Sequence, residues 1–265
     1  MSLQLTLTVL GCGSSSGCPV IGCDCEVCTG SNPYNHRTRC GAWINIGDKH
    51  IIIDTGTDFR NQALREKIPR IDAILYTHPH ADHLNGIDDL RAFCFRQKSA
   101  IEVYANQFTI DNMTSRFDYA FLPVHCHWNR PVLNPHILSG RLPENVCGIP
   151  VYYCDLPHGR WKSTIYRIGN VAWLTDISTV SDEAYAMLQG LDYLFIDCLM
   201  DKSYPSHLSV DDAFAYAQKI GAKQTYLIHM THLLGFDELK ARCPANIEPA
   251  YDGLRIYSTC QENTL

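Results

Sequence analysis

Ile71-Asp72-Ala73-Ile74-Leu75-Tyr76-Thr77-His78-Pro79-His80-Ala81-Asp82-His83 is the stretch on which the fold turns. Its first half is a short apolar run of the kind that fills a buried strand. Its second half is a loop carrying His78, His80, Asp82 and His83. Each of these groups presents a lone pair at neutral pH, since histidine is neutral above about pH 6.5 and aspartate ionised above about pH 3.9. Neighbouring side chains diverge, so one ion cannot collect all four, whereas two ions about 3.5–4 Å apart could share them. The plainer alternative is a solvated His-rich turn. A Pro-interrupted H-x-H-x-D-H at a strand end is rarely built for that purpose.

Upstream of this loop the chain reads as strands in series. LQLTLTVLG (3–11) and GAWINIG (41–47) alternate, and KHIIIDTG (49–56) is a buried run ending at a turn. TDFRNQALREKI (57–68) predicts a helix with Thr57 or Asp58 as N-cap. Downstream, GIDDLRAFCFRQ (86–97) predicts a second helix and IEVYAN (101–106) a short strand. Residues 106–150 hold few clean periods, several prolines and many aromatics, and read as an insertion with partial helix around FTIDNMTSRFDYAF (108–121). GIPVYYCDLPHG (148–159) follows, then STIYRIGNVAWLTD (163–176), where Gly169-Asn170 suits a tight hairpin. SDEAYAMLQG (181–190) reads as a helix closed by a glycine, LDYLFIDC (191–198) as a buried strand, and SVDDAFAYAQKIGA (209–222) as a helix capped by Ser209. QTYLIHMTH (224–232) is a strand running into a loop, and EPAYDGLRIYS (248–258) a turn and a last strand.

Helices alternating with buried strands require a sheet core covered on its faces. A four-layer αββα sandwich fits the α/β pattern, and so does a three-layer fold. Length and the absence of a linker favour one domain over residues 1–265, with the insertion at about 106–150. With 46% hydrophobic and 19% charged residues the chain is not disordered. No apolar run approaches the roughly 18 residues of a membrane span. MSLQLTLTVLGCG (1–13) has the alternation of a strand and not the basic and apolar regions of a signal peptide, so a cytoplasmic protein is expected. A net charge of −6 argues against sequence-independent binding to nucleic acid.

Thirteen cysteines are an odd number, which in a reducing compartment points away from disulfides and toward metal ligands. Cys94, Cys126, Cys147, Cys154, Cys198, Cys243 and Cys260 stand in mixed or apolar contexts and read as packing thiols. Gly22-Cys23-Asp24-Cys25-Glu26-Val27-Cys28 is different, because C-x-C-x2-C gathers three thiols within one turn of chain. Structural zinc is tetrahedral and takes three cysteines with a histidine, or four cysteines. His232 is the foremost candidate for the fourth ligand, with Cys18 and Cys40 as alternatives. For the His–Asp loop, further ligands are sought where apolar runs stop: His158 after VYYCDLP, Asp176 after VAWLT, and His229 after QTYLI.

H-x-H-x-D-H followed by a lone His, a lone Asp and a lone His at strand ends resembles the metallo-β-lactamase superfamily. That resemblance implies the αββα sandwich with two divalent ions, Mn²⁺ or Zn²⁺, at one edge. It places His78, His80 and His158 on one ion and Asp82, His83 and His229 on the other, with Asp176 bridging. It also implies a bridging hydroxide as nucleophile, and makes Asp54 a partner that orients the histidine loop. An ordinary turn-forming aspartate before Gly56 is the other reading of Asp54. GCDCEVC with a late HMTH narrows the likeness to the PhnP-type phosphoribosyl cyclic phosphodiesterases of the carbon–phosphorus lyase pathway. In them a structural zinc would sit on Cys23, Cys25, Cys28 and His232. His207, in Pro205-Ser206-His207-Leu208-Ser209, would be the general acid or phosphate contact, so that His207 and Asp82 are the expected catalytic residues.

The resemblance therefore implies a phosphodiesterase acting on a small cyclic or linear phosphodiester, such as phosphoribosyl 1,2-cyclic phosphate. A thioester or lactone hydrolase, an RNA-processing nuclease and a non-catalytic metal or redox scaffold are the competing functions. The expected partner is that small molecule, with no membrane; a homodimer is compatible with the sequence and not specified by it. Arg37, Arg39, Arg91 and Arg160 are unranked candidates for holding a second phosphate. Phe117, Tyr119, Phe121, His125, His127 and Trp128 either wall a pocket or pack the insertion, and packing is expected for most. His125-Cys126-His127 lacks a nearby acidic partner and is not expected to hold a metal.

Overall fold

Alternation along the early strands divides the interior in two. Ile51 and Ile53 face one apolar cluster and Ile52 faces another; Ala73 and Leu75 part from Ile74 in the same way. A strand with apolar residues on both faces has to lie inside a layered structure. The computed structural model, which describes residues 2–123 and 128–261, has that arrangement. The first sheet takes β1 (Ser2–Gly11), β2 (Gly41–Ile46), β3 (Lys49–Ile53), β4 (Ala73–Leu75), β5 (Ile101–Ala105) and β6 (Leu133–Ile137). The second takes β7 (Glu144–Val146), β8 (Ile149–His158), β9 (Trp161–Ile168), β10 (Val171–Leu174), β11 (Tyr193–Asp197), β12 (Gln224–Ile228) and β13 (Ile247–Pro249). β14 (Arg255–Gln261) returns to pair antiparallel with β1. The orders are β14-β1-β2-β3-β4-β5-β6 and β13-β12-β11-β10-β9-β8-β7.

Between the sheets lie Leu5, Leu7, Ile44, Leu75, Tyr166, Trp173 and Phe195, all nearly inaccessible to solvent. The short helices α1 (Glu26–Thr29), α2 (Phe59–Glu66), α3 (Ala81–Leu84), α4 (Arg91–Gln97) and α5 (Gln107–Arg116) precede the second sheet in the chain. Of these, α2, α4 and α5 cover the outer face of the first sheet through Phe59, Phe93, Ile110 and Met113. On the far side α6 (Asp182–Met187), α7 (Val210–Ile220) and α8 (Phe236–Arg242) place Ala184, Ala213, Ala217, Ile220 and Leu239 against the second sheet. The result is the αββα sandwich, not the three-layer alternative.

Several local expectations are met and several are revised. Ser209 caps α7 in a reciprocal capping box with Asp212, and Gly221 closes it in the left-handed conformation. Gly169 takes φ +56° in the β9–β10 turn. Asp58 precedes α2, but its carboxylate makes no cap bond because Arg39 holds it at 3.0 Å through Nη1. The helix expected over 86–97 is split into a tight 3-10 turn, Ile87–Leu90, and α4. Residues 106–150 are woven into both sheets, since they supply the edge strands β6 and β7. β6 contains Pro135, which an edge strand tolerates and which breaks the periodic signal. Helix α8 has only seven residues, and its N-cap, Gly235, has no side chain to cap it, so nothing announces it.

The parallel strands β3, β4 and β5 of one sheet and β10, β11 and β12 of the other carry their chains toward the same rim. Ligand sites of α/β sheets gather beyond the carboxyl ends of such strands.

Candidate metal centres

Asp54 comes directly after β3, Asp176 shortly after β10, and His229 directly after β12; all three adopt the left-handed backbone, with φ of 59°, 57° and 60°. That conformation costs a non-glycine residue of order 1 kcal/mol or more, and it persists only where the surroundings enforce it. The return at each strand end turns the side chain inward. Gly56 and Gly86 allow the neighbouring chains to touch: a Cβ on Gly56 would lie 1.8 Å from the Asp82 carbonyl oxygen, and one on Gly86 2.3 Å from the Gly56 oxygen. That contact seats α3, with Asp82 and His83, on the end of β3.

Three of the imidazoles are oriented by a hydrogen-bond partner behind them. The Thr77 hydroxyl donates to Asp54 Oδ2 at 2.7 Å, so its single proton is committed. It therefore accepts from Nδ1–H of His78, 3.0 Å away, and leaves His78 Nε2 with a free lone pair. His83 Nδ1–H donates to Asp54 Oδ2 at 2.7 Å, and His158 Nδ1–H to the Ser206 carbonyl at 2.8 Å. The lone pairs then converge. His78 Nε2 lies 2.8 Å from His80 Nδ1, and His158 Nε2 lies 3.2 Å from the same atom. No more than one of these nitrogens can supply a proton to the others, and only a cation uses all three lone pairs.

The remaining groups form a second set around a shared carboxylate. Asp176 Oδ1 is 3.8 Å from His78 Nε2, 3.7 Å from His158 Nε2 and 3.3 Å from His229 Nε2, while its Oδ2 is 3.2 Å from His83 Nε2. Asp82 Oδ2 lies 3.3 Å from His83 Nε2 and 3.7 Å from His229 Nε2. His83 Nε2 and both ring nitrogens of His229 are buried without a hydrogen-bond partner. Orphaned buried nitrogens are costly unless something outside the protein satisfies them. His78, His80, His158 and Asp176 are thus one group able to hold an ion, and Asp82, His83 and His229 another.

Electrostatics within the cluster favour ligation. Burial, reinforced by the neighbouring imidazoles, holds His78 well below the usual histidine range and lowers His80 to about 4, so both stay neutral and ready to bind. Asp82 is held below the usual carboxylate range: burial alone would raise it, but His83 and His229 outweigh that. His207 sits between His158 and His229, its ring centroid 4.8 Å from each. Its Nδ1 faces Asp197 Oδ1 at 3.3 Å and its Nε2 lies 3.9 Å from Asp176 Oδ1. Burial would lower the His207 pKa; Asp197 and Asp176 raise it instead.

Asp197 is the residue that sequence reading missed. It ends β11, is fully buried, and accepts the Leu208 N–H at 2.8 Å and the Asp176 N–H at 3.1 Å. One carboxylate thereby fixes both Asp176 and the loop carrying His207. The only signal was an acid terminating an apolar strand in LDYLFIDC, the same pattern as Asp54 in KHIIIDTG.

In a separate group, Cys23 Sγ and Cys25 Sγ each lie 3.3 Å from His232 Nδ1, and Cys28 completes a four-residue set able to hold an ion. The bond to His232 and the Cys28 N–H lower the Cys25 thiol to about 6, giving a thiolate at neutral pH. Cys18 is buried beside Cys28, outside the group. Cys40 is buried, and its Sγ lies 3.6 Å from the Thr175 hydroxyl instead. Of the arginines, Arg37 is buried and donates to the carbonyls of Thr231 and Leu234, bracing the loop that carries His232. Arg39 pairs with Asp58 and Arg91 with Asp88, which leaves Arg160. Phe117, Tyr119, Phe121 and Trp128 pack against the outer core, whereas His125-Cys126-His127 lies outside the described residues.

Comparison with known proteins follows the same lines. The family model of the β-lactamase superfamily domain matches residues 49–230. A crystal structure of a diphosphatase from the PhnP family superposes with a TM-score of 0.91 at 39% identity, covering 98% of this chain and 99% of that one. An octanoyltransferase of Porphyromonas gingivalis (strain ATCC BAA-308 / W83) is 35% identical over 93% of this chain, which spans only 50% of the relative's length. A ribonuclease Z of Bradyrhizobium sp. (strain ORS 278) is 33% identical over 31% of this chain and 28% of its own.

Proposed function

The chain belongs to the metallo-β-lactamase superfamily and, within it, to the PhnP family; on that premise we propose that this metal-dependent hydrolase is a phosphodiesterase acting on a small phosphodiester. The observation that carries the reading is the gathering of seven donor groups at one rim, the Asp176 carboxylate among them, with His207 beside them and aligned by Asp197. His78, His80 and His158 would hold one divalent ion, Asp82, His83 and His229 a second, with Asp176 between them. Such ions, when bound, supply a water ionised at neutral pH and positive charge against the oxygens of a transferring phosphoryl group.

The protein's own groups do the rest. Thr77, Asp54 and Ser206 lock the tautomers of His78, His83 and His158 before substrate arrives. His207 Nε2 donates the proton that the departing alkoxide needs, and Asp197 holds its ring in place and favours the protonated form. A structural zinc on Cys23, Cys25, Cys28 and His232 would secure the adjoining loops.

Likeness to a diphosphatase and to a ribonuclease Z supports chemistry at phosphorus. The octanoyltransferase name belongs to a chain twice as long, and it makes acyl transfer the competitor to be tested. The test loads the protein with Mn²⁺ or Zn²⁺, measures metal content, and compares bis-p-nitrophenyl phosphate with an octanoyl thioester. Metal-dependent cleavage of the diester that exceeds thioester turnover supports the reading. Thioester turnover without diester cleavage overturns it.

A further inference from the structure

A cavity of about 320 Å³, lined by Asn106, Phe108, Asp155, Arg160, Trp161 and Lys162 among others, adjoins the histidine rim. It lies within the size range of pockets that take small molecules. Its position follows from the β8–β9 hairpin, in which His158 and Trp161 are paired residues. The Trp161 ring packs on His80, centroid to centroid 4.3 Å, so the cavity begins where that proposed ligand ends. Phe108, at the start of α5, stands 5.7 Å from Trp161 and is 46% exposed. The Arg160 guanidinium lies 5.2 Å from the Trp161 ring centroid.

Two features of this wall bear on what it could bind. An exposed phenylalanine next to a half-buried tryptophan offers a π-surface to solvent. Neither Arg160 nor Lys162 has a carboxylate partner within ion-pair distance among the described residues. The acid lining the same cavity, Asp155, is already engaged by the Thr164 hydroxyl at 2.6 Å and by Asn106. Aromatic rings bordered by unpaired cations recognise a planar base attached to a further anionic group.

We propose that this wall is a substrate subsite, and that the diester cleaved at the rim carries a nucleoside arm bearing a second phosphate. The base stacks on Phe108 and Trp161, and Arg160 with Lys162 takes the second phosphate. The inference rests on the phosphodiesterase reading above and names its substrate class.

Three esters with one leaving group separate the two ideas: methyl p-nitrophenyl phosphate, thymidine 5′-(p-nitrophenyl phosphate), and the latter with a 3′-phosphate. Metal-loaded wild-type protein should favour the thymidine ester over the methyl ester by about 10-fold in kcat/KM, the scale of one stacked base. Phe108→Ala should collapse that ratio. Trp161→Phe, which keeps a ring against His80, should reduce it less. Arg160→Gln should remove the additional gain from the 3′-phosphate, read as a rise in KM. Equal kcat/KM for methyl and thymidine esters, or a preference that survives Phe108→Ala, overturns the subsite while leaving the phosphodiesterase reading intact. Turnover of none of the three sinks both. Preference for an RNA 20-mer over the thymidine esters overturns the small-molecule assignment.

Discussion

The two clusters of side chains able to hold a metal ion in this protein are built on opposite plans. The histidine–aspartate cluster is carried by the ends of β4, β8, β10 and β12 and by α3, and most of its members are almost inaccessible. Behind it stand Asp54, Thr77, Ser206 and Asp197, which fix the rings by hydrogen bonds or close contacts of their own. The cysteine cluster is carried by a loop and a four-residue helix, and Cys23, Cys25 and His232 are only half-buried. Its members are held mainly by one another. A site of the first kind is shaped by the sheets whether or not ions are present. A site of the second kind draws its order from the ion, so that metal binding there is folding energy. Variants in the rim should therefore cost rate, and variants in the cysteine loop should cost stability.

The largest effect is expected from His207→Ala. Removing a general acid typically costs about 10²–10⁴ in rate. The loss should be near the top of that range for a diester with an alkoxide leaving group, and much smaller for p-nitrophenolate, which leaves without a proton. Metal content and Tm should stay close to wild type. Equal losses with both leaving groups would show that His207 acts on the metals or on binding and not on the departing oxygen.

Asp197→Asn comes next, at about 10- to 100-fold, the usual cost of losing a partner that orients a ligand shell. Its pH profile is the sharper readout. Asp197 favours the protonated form of His207 against the opposing effect of burial. An acid must be protonated to act, so activity falls as pH rises through the His207 pKa. Without the Asp197 charge that pKa drops, and the alkaline limb should move to lower pH. An unmoved limb would assign the limb to another group.

What could be read beforehand follows from how densely the chemistry is written. His78, His80, Asp82 and His83 share one loop, and Cys23, Cys25 and Cys28 another, so residue types and spacing alone mark both as candidate centres. His158, Asp176 and His229 each stand alone, and only their common position after an apolar run links them. Asp197 has that position too, but its role depends on Leu208 and His207 folding back over it, which no local pattern announces. The wall of Phe108, Arg160 and Trp161 joins a helix to a hairpin across about 50 residues of chain, so it was legible only in part, as an unranked arginine. Strands β6 and β7 escaped notice because edge strands accept prolines and exposure that central strands do not.

Cys25→Ser tests the other half of the comparison. It should lower the zinc content by one ion per chain and depress Tm by about 5 °C or more, as expected when a tightly bound structural ion no longer favours the folded state. The ratio of diester rate to bound rim metal should change far less. In metal-stripped protein Cys25 should be the first thiol alkylated by iodoacetamide, with a midpoint near the value of about 6 set by His232 and the Cys28 N–H. Zinc should protect it. Alkylation of Cys25 that is no faster than that of Cys23 at pH 7 would mean that His232 does not polarise the thiol.

The smallest effect is expected at Ser209, where scaffold and site meet. Its hydroxyl accepts the Asp212 N–H at 3.2 Å, and the Asp212 carboxylate reaches back to the Ser209 N–H, closing the first turn of α7 two residues beyond His207. Ser209→Ala should cost about 1 kcal/mol, the ordinary worth of an N-cap, and so about 2–4 °C in Tm for a chain of this size. Because Asp197 independently holds Leu208 N–H and faces His207, the ring should stay in register and kcat should fall by less than about threefold. If kcat instead falls as far as in Asp197→Asn, the capped helix and not the buried carboxylate positions His207, and the claim that the rim is set by groups directly behind its ligands fails at that residue.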